Sequence, residues 1–253
     1  MDLSPASLAF VFAAGIVGGA MNALAGGGTF ATLPALLAMG LPANLANSTS
    51  NVALLPGAAT SAWAFRDELQ PLSGVSIRTL AAITFVSGLV GSALLVLTPS
   101  DMFDIIIPWL VLYAFVVLAF GKTASEWLRN RVAIGRKTLM VVQALLGLYG
   151  GYFGGGVGLM TTATYGLLAG HSPRALFAPR TLMLATANFA AAFVFLAFGM
   201  VVFLAVIPML IGSVIGGWLG AIIGKKLPPR AVRLWTLFVT GATTIVFFLR
   251  AYG

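Results

Sequence analysis

The chain has 253 residues, of which 60% are hydrophobic and 8% charged, with a formal net charge of +8 and a mean hydropathy of +1.03. A soluble domain of this length needs far more charge to cover its surface, so the composition describes a polytopic membrane protein and the basic balance does not argue for nucleic acid. Cysteine is absent and His171 is the lone histidine, which excludes disulfides, iron–sulfur clusters, thiolate-zinc sites and multi-histidine metal sites.

The first apolar segment follows Met1-Asp2-Leu3-Ser4-Pro5 without the positive stretch of a secretory signal, and reads as a retained membrane segment. Breaks at glycine, proline and charge divide the first half into 8–25, 29–39, 44–65, 74–97 and 103–121. A polar stretch, 122–137, holds Lys122, Glu126, Arg129, Arg131, Arg136 and Lys137 and reads as a cytoplasmic linker. The second half then repeats the order with 138–153, 157–170, 175–198, 201–224 and 231–250. Each half opens with two arms flanking three glycines, Gly26-Gly27-Gly28 and Gly154-Gly155-Gly156, which lie 128 residues apart. Each glycine costs a helix about 1 kcal/mol relative to alanine, so three together break it. Inside a bilayer the freed backbone groups must be satisfied by packing or by a ligand. The expected fold is therefore all-α and polytopic, with a first repeat over 1–121 and a second over 138–253. Each repeat is a glycine-broken re-entrant or short hairpin segment plus three transmembrane helices, giving 8–10 membrane segments.

The basic residues select between two ways of threading this pattern. If each broken segment crosses once and the linker is inside, 8 Lys and Arg fall inside and 6 outside. If each broken segment returns to its own side, the count becomes 13 inside and 1, Arg250, outside. The second arrangement has the asymmetry of a membrane protein and puts both termini outside. Each half then crosses an odd number of times, so the two halves are inverted relative to one another, as in many secondary transporters. Small residues every four positions, Thr84, Gly88 and Ser92 in one half and Gly212, Gly216, Gly220 and Gly224 in the other, mark close helix packing.

Certain stretches resemble a known family. Asn22-Ala23-Leu24-Ala25-Gly26-Gly27-Gly28-Thr29, Leu33-Pro34-Ala35-Leu36 and Ala46-Asn47-Ser48-Thr49-Ser50-Asn51-Val52-Ala53-Leu54-Leu55-Pro56-Gly57 resemble the first-half signature of the sulfite exporter TauE/SafE family. Gly150-Gly151-Tyr152-Phe153-Gly154-Gly155-Gly156-Val157-Gly158, followed by a polar stretch through Arg180 and Asn188, agrees in the second half. The resemblance implies a permease of the bacterial inner membrane that moves small sulfur-containing anions such as sulfite or organosulfonates, usually outward. Two positions depart from the pattern: Phe177-Ala178-Pro179-Arg180 stands where the family often has a lysine-bearing stretch, and Ser50 stands where asparagine is commoner. The alternatives are a passive channel and a carrier for another small anion such as a carboxylate. An intramembrane enzyme lacks a nucleophile–base pair, and no cofactor is expected.

An anion leaving water needs amide N–H groups, hydroxyls or amide side chains, and a cation. The amides are expected at Gly26, Gly27, Gly28 and Thr29 and at Gly154, Gly155 and Gly156. The side chains are expected from Asn22, Thr49, Ser50, Asn51 and Asn188, although Ser, Thr and Asn also cap helices and asparagines also bond between helices. Arg180 supplies the cation, or else snorkels to the cytoplasmic interface beside Arg174. In mid-membrane an unpartnered arginine costs about 2.5–3.5 kcal/mol, which favours a reason for its presence. The six acids, Asp2, Asp67, Glu68, Asp101, Asp104 and Glu126, all fall at segment ends or in loops, so no carboxylate is expected mid-membrane; either His171, or Asp67 and Glu68 at the inner mouth, relays protons, or the protein is a facilitator. The expected partners are the small anionic substrate and the lipid bilayer; oligomeric state is not legible in the sequence.

Overall fold

A computed structural model describes residues 4–129, 135–169, 176–224 and 227–253; these contain ten α-helices and no β-strand. The first half holds α1 (Pro5–Ala25), α2 (Thr29–Ala38), α3 (Ala43–Ala64), α4 (Ile77–Leu97) and α5 (Ser100–Arg129). The second holds α6 (Arg136–Tyr152), α7 (Val157–Ala169), α8 (Phe177–Ala197), α9 (Phe203–Gly224) and α10 (Pro229–Tyr252). The five-element order expected from the glycine triplets is thus present twice. The linker differs from expectation: α5 runs without a break to Arg129. Residues 122–129, Lys-Thr-Ala-Ser-Glu-Trp-Leu-Arg, contain no glycine or proline, and charge alone does not end a helix. Arg131, His171, Arg174, Lys225 and Lys226 lie outside the described residues.

Six helices, α1, α4, α5, α8, α9 and α10, are long and apolar enough to cross a membrane. Helix α3 has 22 residues, comparable in length, but its second and third turns carry the polar run Asn47 to Asn51. The distribution of side chains is that of a protein dissolved in lipid. Leu97, Trp109, Phe120, Trp218 and Phe238 are exposed, whereas Asn22, Asn47, Gln143, Arg180 and Ser213 are buried.

Helix α1 packs closely on α9, and α6 on α4. In both pairs the backbones touch where side chains are absent. A methyl group on Gly216 would overlap the Ile16 carbonyl, and one on Gly151 would overlap the Gly88 carbonyl. Both pairs run parallel, since Gly15 meets Met209 and Gly19 meets Ser213, while Thr84 meets Gly147 and Gly91 meets Tyr152. Corresponding helices instead run antiparallel. The end of α3 meets the start of α8 through Phe65 and Phe177, with ring centres 4.7 Å apart. The start of α3 meets the end of α8 through Thr49 Oγ1, which accepts the Val202 N–H at 3.1 Å. Likewise Trp109 Nε1, near the start of α5, donates to Tyr252 Oη at 2.9 Å, and Arg233 Nη2, near the start of α10, donates to the Ala119 carbonyl at 2.9 Å.

These contacts sort the helix ends. At one end, the Ala43 N–H donates to Ser100 Oγ at 2.9 Å, Asn44 Nδ2 donates to the Thr98 carbonyl at 3.4 Å, and Ser48 donates to the Met200 carbonyl. Ser4, which caps the start of α1, and Ser7 share a cleft there with Ala38 and Met39, so α2 returns to the side from which α1 starts. At about 1.5 Å per residue, the 21 residues of α1 reach across a bilayer core while the 10 of α2 go about half way. At the opposite end, Leu72, Val75, Leu80, Leu139, Tyr165, Leu176 and Met183 form one apolar cluster, which gathers the starts of α4, α6 and α8 with α7. Arg66, Arg78, Arg136, Lys137 and Arg233 flank that second end in sequence, whereas Arg250 pairs with Asp104 at the first, 3.4 Å apart.

Candidate functional site

The first break is built by Asn22. Helix α1 stops where Gly26 adopts φ +78°, a left-handed conformation that returns its N–H to the Met21 and Asn22 carbonyls. Asn22 Oδ1 then accepts the Gly28 N–H at 3.1 Å, which folds the glycines back over the end of α1. One amide expected to face a ligand is therefore already used, while the Gly27 and Thr29 N–H groups have no acceptor among the described residues. Thr32 Oγ1 bonds the Gly28 carbonyl at 3.2 Å and Ser50 Oγ at 2.6 Å, tying this break to α3.

The second break has two left-handed glycines, Gly154 (φ +75°) and Gly156 (φ +78°). Tyr149 Oη donates to the Gly155 carbonyl at 2.9 Å and fixes the turn. The N–H groups of Gly155, Gly156, Val157 and Gly158 have no acceptor among the described residues. Helix α7 thus opens with a bare, electropositive N-terminus of the kind that binds anions. Asn51 lies against Gly154, and Asn47 Nδ2 donates to the Tyr152 carbonyl at 3.1 Å.

The two breaks meet. A Cβ on Gly26 would lie 2.5 Å from Gly158 Cα, so only glycine at both positions allows the first turn to rest on the start of α7. Arg180, in the first turn of α8, stands beside this contact and is 7% exposed. Its Nη2 donates to the Ala23 carbonyl at 3.2 Å and its Nη1 to the Leu24 carbonyl at 3.4 Å, so the guanidinium caps the electronegative end of α1. Its other support is Phe177, over whose ring the guanidinium carbon sits at 4.1 Å. Of the two readings open in the sequence, the arginine follows neither fully. It does not snorkel outward, and it is already paired with backbone.

Four buried side-chain nitrogen or oxygen atoms among the described residues have no hydrogen-bond partner: Asn22 Nδ2, Asn47 Oδ1, Asn51 Oδ1 and Arg180 Nε. Leaving such an atom unmade costs about 1–3 kcal/mol each, and native proteins tolerate few. All four belong to residues that flank the two breaks. They also divide by chemistry. The two donors, Asn22 Nδ2 and Arg180 Nε, belong to residues that shape or cap the first break. The two acceptors, Asn47 Oδ1 and Asn51 Oδ1, sit one helical turn apart on α3 beside the second.

The sequence-named residues separate accordingly. Gly26, Gly27, Gly28, Thr29, Asn22, Gly154, Gly155, Gly156, Asn51 and Arg180 come together around the crossing of the breaks. Ser50 joins them through Thr32. Thr49 does not, because its hydroxyl anchors the connection between α8 and α9 at Val202. Asn188 is buried in the middle of α8 and makes no side-chain hydrogen bond among the described residues. Asn47, Thr32, Tyr149 and Gly158 complete the arrangement without having been singled out. The four-residue spacing of Asn47 and Asn51 was the available signal for the first of these.

Residues 11–247 match the family described as sulfite exporter TauE/SafE. A protein of Haemophilus influenzae named "Probable membrane transporter protein" is 30% identical over 226 residues, 87% of this chain and 86% of that protein. "Probable membrane transporter protein YfcA" of Escherichia coli K12 is 25% identical over 253 residues, covering 99% and 93% of the two chains. "Probable membrane transporter protein ORF9" of a Sinorhizobium species is 30% identical over 230 residues, covering 89% and 84%. No solved structure matches.

Proposed function

The chain belongs to the sulfite exporter TauE/SafE family and is a multi-pass membrane transporter, and we propose that it carries a small sulfur-containing anion, sulfite or an organosulfonate, outward across the bacterial inner membrane. The observation that carries this reading is the pair of unpartnered buried donors, Asn22 Nδ2 and Arg180 Nε, together with the free amides at the start of α7. An oxyanion with three oxygens can accept from several donors at once, which replaces the water it leaves behind. Arg180 keeps two of its nitrogens on the end of α1 and offers the third. Its planar fork supports both tasks together, which a lysine ammonium could not do with the same geometry.

In this reading the two halves are inverted repeats and the anion sits where their breaks cross. The antiparallel pairing of α3 with α8 and of α5 with α10 supports the inversion, because helices of the same rank then run in opposite directions. The basic residues flanking one end of the bundle support that end as cytoplasmic, with both termini outside. Rocking of one repeat against the other about the fixed crossing would open the site alternately to each side. The side chains hold and release the anion, with no covalent step.

The test is uptake by purified protein in liposomes, using sulfite, methanesulfonate, thiosulfate and acetate as alternative cargoes. Saturable accumulation of the sulfur anions against a gradient is expected. Transport of acetate alone would replace the cargo class, and non-saturable flux would replace the carrier by a channel.

A further inference from the structure

The two breaks use their last glycine amide differently. In the first, the Gly28 N–H is taken within the fold by Asn22 Oδ1, and the Gly27 carbonyl before it accepts the Phe30 N–H at 3.2 Å. In the second, the Gly155 carbonyl accepts from Tyr149 Oη at 2.9 Å, and the Gly156 N–H has no acceptor among the described residues. Met21 stands 128 positions before Tyr149, as Gly28 stands before Gly156, and it carries no hydroxyl. The first break therefore has no counterpart to this contact. The phenol is itself held in place. Its ring meets Phe153 at 5.8 Å and Tyr113 at 6.0 Å between centres, both edge-on, and its Oη also lies 3.2 Å from the Leu110 carbonyl of α5. A hydroxyl has one proton to donate at a time, and the shorter of the two contacts is the one to the break.

We infer that Tyr149 is a positioning residue for the anion: by holding the Gly155 carbonyl, it presents the Gly156 N–H to the proposed binding site. The reason lies in the peptide plane. The described peptide bonds are trans, so the carbonyl and the N–H of one peptide unit point in opposite directions. A donor that fixes the Gly155 carbonyl thereby fixes the Gly156 N–H facing away from the phenol. Glycine on both sides of this peptide makes the hold necessary, because residues without Cβ let the plane between them rotate at little steric cost. Gly156 itself has φ +78°. The oriented amide joins the free N–H groups of Val157 and Gly158 at the start of α7. Arg180 reaches the same place, with its Cγ 3.5 Å from where a Cβ on Gly158 would stand. Donors ordered before the ligand arrives bind it more tightly than donors that must be ordered by it. Tyr149 thus sets affinity through backbone, without touching the anion. The inference rests on the reading of the protein as an anion carrier, and it makes the second break, rather than the first, the one whose last glycine amide serves the ligand.

The experiment compares initial rates of sulfite uptake by the full chain in liposomes across variants of Tyr149, with the apparent melting temperature measured on each preparation. Tyr149→Phe should raise the half-saturating sulfite concentration about 3- to 10-fold, the effect of one ordinary hydrogen bond, and leave the maximum rate within about twofold of wild type. Replacement of Tyr149 by para-aminophenylalanine keeps the ring and a weaker N–H donor, and should fall between wild type and Tyr149→Phe. It also preserves the test if Tyr149→Phe fails to fold, since it should still require more sulfite than the wild type. Tyr113→Phe, which keeps the ring against Tyr149, should leave the half-saturating concentration unchanged. An unchanged half-saturating concentration in both Tyr149 variants, whatever their melting temperatures, would overturn the inference and leave Tyr149 as a packing residue, with the anion reading intact. Saturable uptake of acetate but not of sulfite, weakened in the same way by Tyr149→Phe, would keep the positioning role and overturn the sulfur cargo.

Discussion

Arg180→Lys separates charge from geometry. In the wild type the guanidinium donates to Ala23 and Leu24 while Nε remains for a ligand. Lysine retains a positive charge near the end of α1 but cannot hold both carbonyls and present a third donor in the same plane. A hydrogen bond to a charged group is worth about 1.5–3 kcal/mol, which corresponds to a rise in half-saturating substrate of about 10- to 150-fold. The lost stacking on Phe177 adds a smaller amount, about 0.5–2 kcal/mol, shared between folding and binding. The assay is initial rate against sulfite concentration in liposomes, with monodispersity and apparent melting temperature measured on the same preparation. Arg180→Leu should abolish transport. Folded Arg180→Lys protein with an unchanged half-saturating concentration would refute the assignment of Nε to the anion and leave Arg180 as a helix cap.

Asn22→Asp replaces the free donor by a carboxylate oxygen while keeping an acceptor for the Gly28 N–H, so the break should persist and sulfite affinity should fall at least about tenfold in the same flux assay. Gly216→Ala places a methyl group on the Ile16 carbonyl and should destabilise the chain by about 1–3 kcal/mol, read as a lower melting temperature. Gly135→Ala, where a Cβ meets nothing within 4 Å, should not. Gln143 bonds Tyr165 Oη at 2.5 Å and Thr84 Oγ1 at 2.6 Å, so Gln143→Leu should lower the melting temperature, equivalent to about 1–3 kcal/mol, with partial recovery on adding Tyr165→Phe. The absence of native cysteine makes topology directly measurable: a cysteine at exposed Glu68 should react with an impermeant maleimide only after permeabilisation, and one at Gly253 before it.

The helix breaks were legible because glycine acts locally. Three in a row end a helix whatever surrounds them, and the arms expected at 8–25 and 157–170 became Pro5–Ala25 and Val157–Ala169. The extent of α5 was not legible from the same rules, since charge at 122–129, without glycine or proline, does not stop a helix. Arg180 was identifiable as out of place in an apolar segment, but not its partners. Ala23 and Leu24 lie more than 150 positions away and offer only backbone carbonyls, which no pattern of side chains can announce. Thr49 shows the reverse limit. It shares a polar run with Asn51, yet successive positions on a helix point 100° apart, and the fold sends its hydroxyl to Val202 while Asn51 meets Gly154.

A structure of the protein with selenite, the selenium analogue of sulfite, can locate the anion by anomalous scattering. The selenium peak should lie within hydrogen-bonding reach of Arg180 Nε and Asn22 Nδ2, beside the free amides at the start of α7. A peak among the basic residues at the bundle's end, with none between the two breaks in a preparation that transports selenite, would contradict the proposed site.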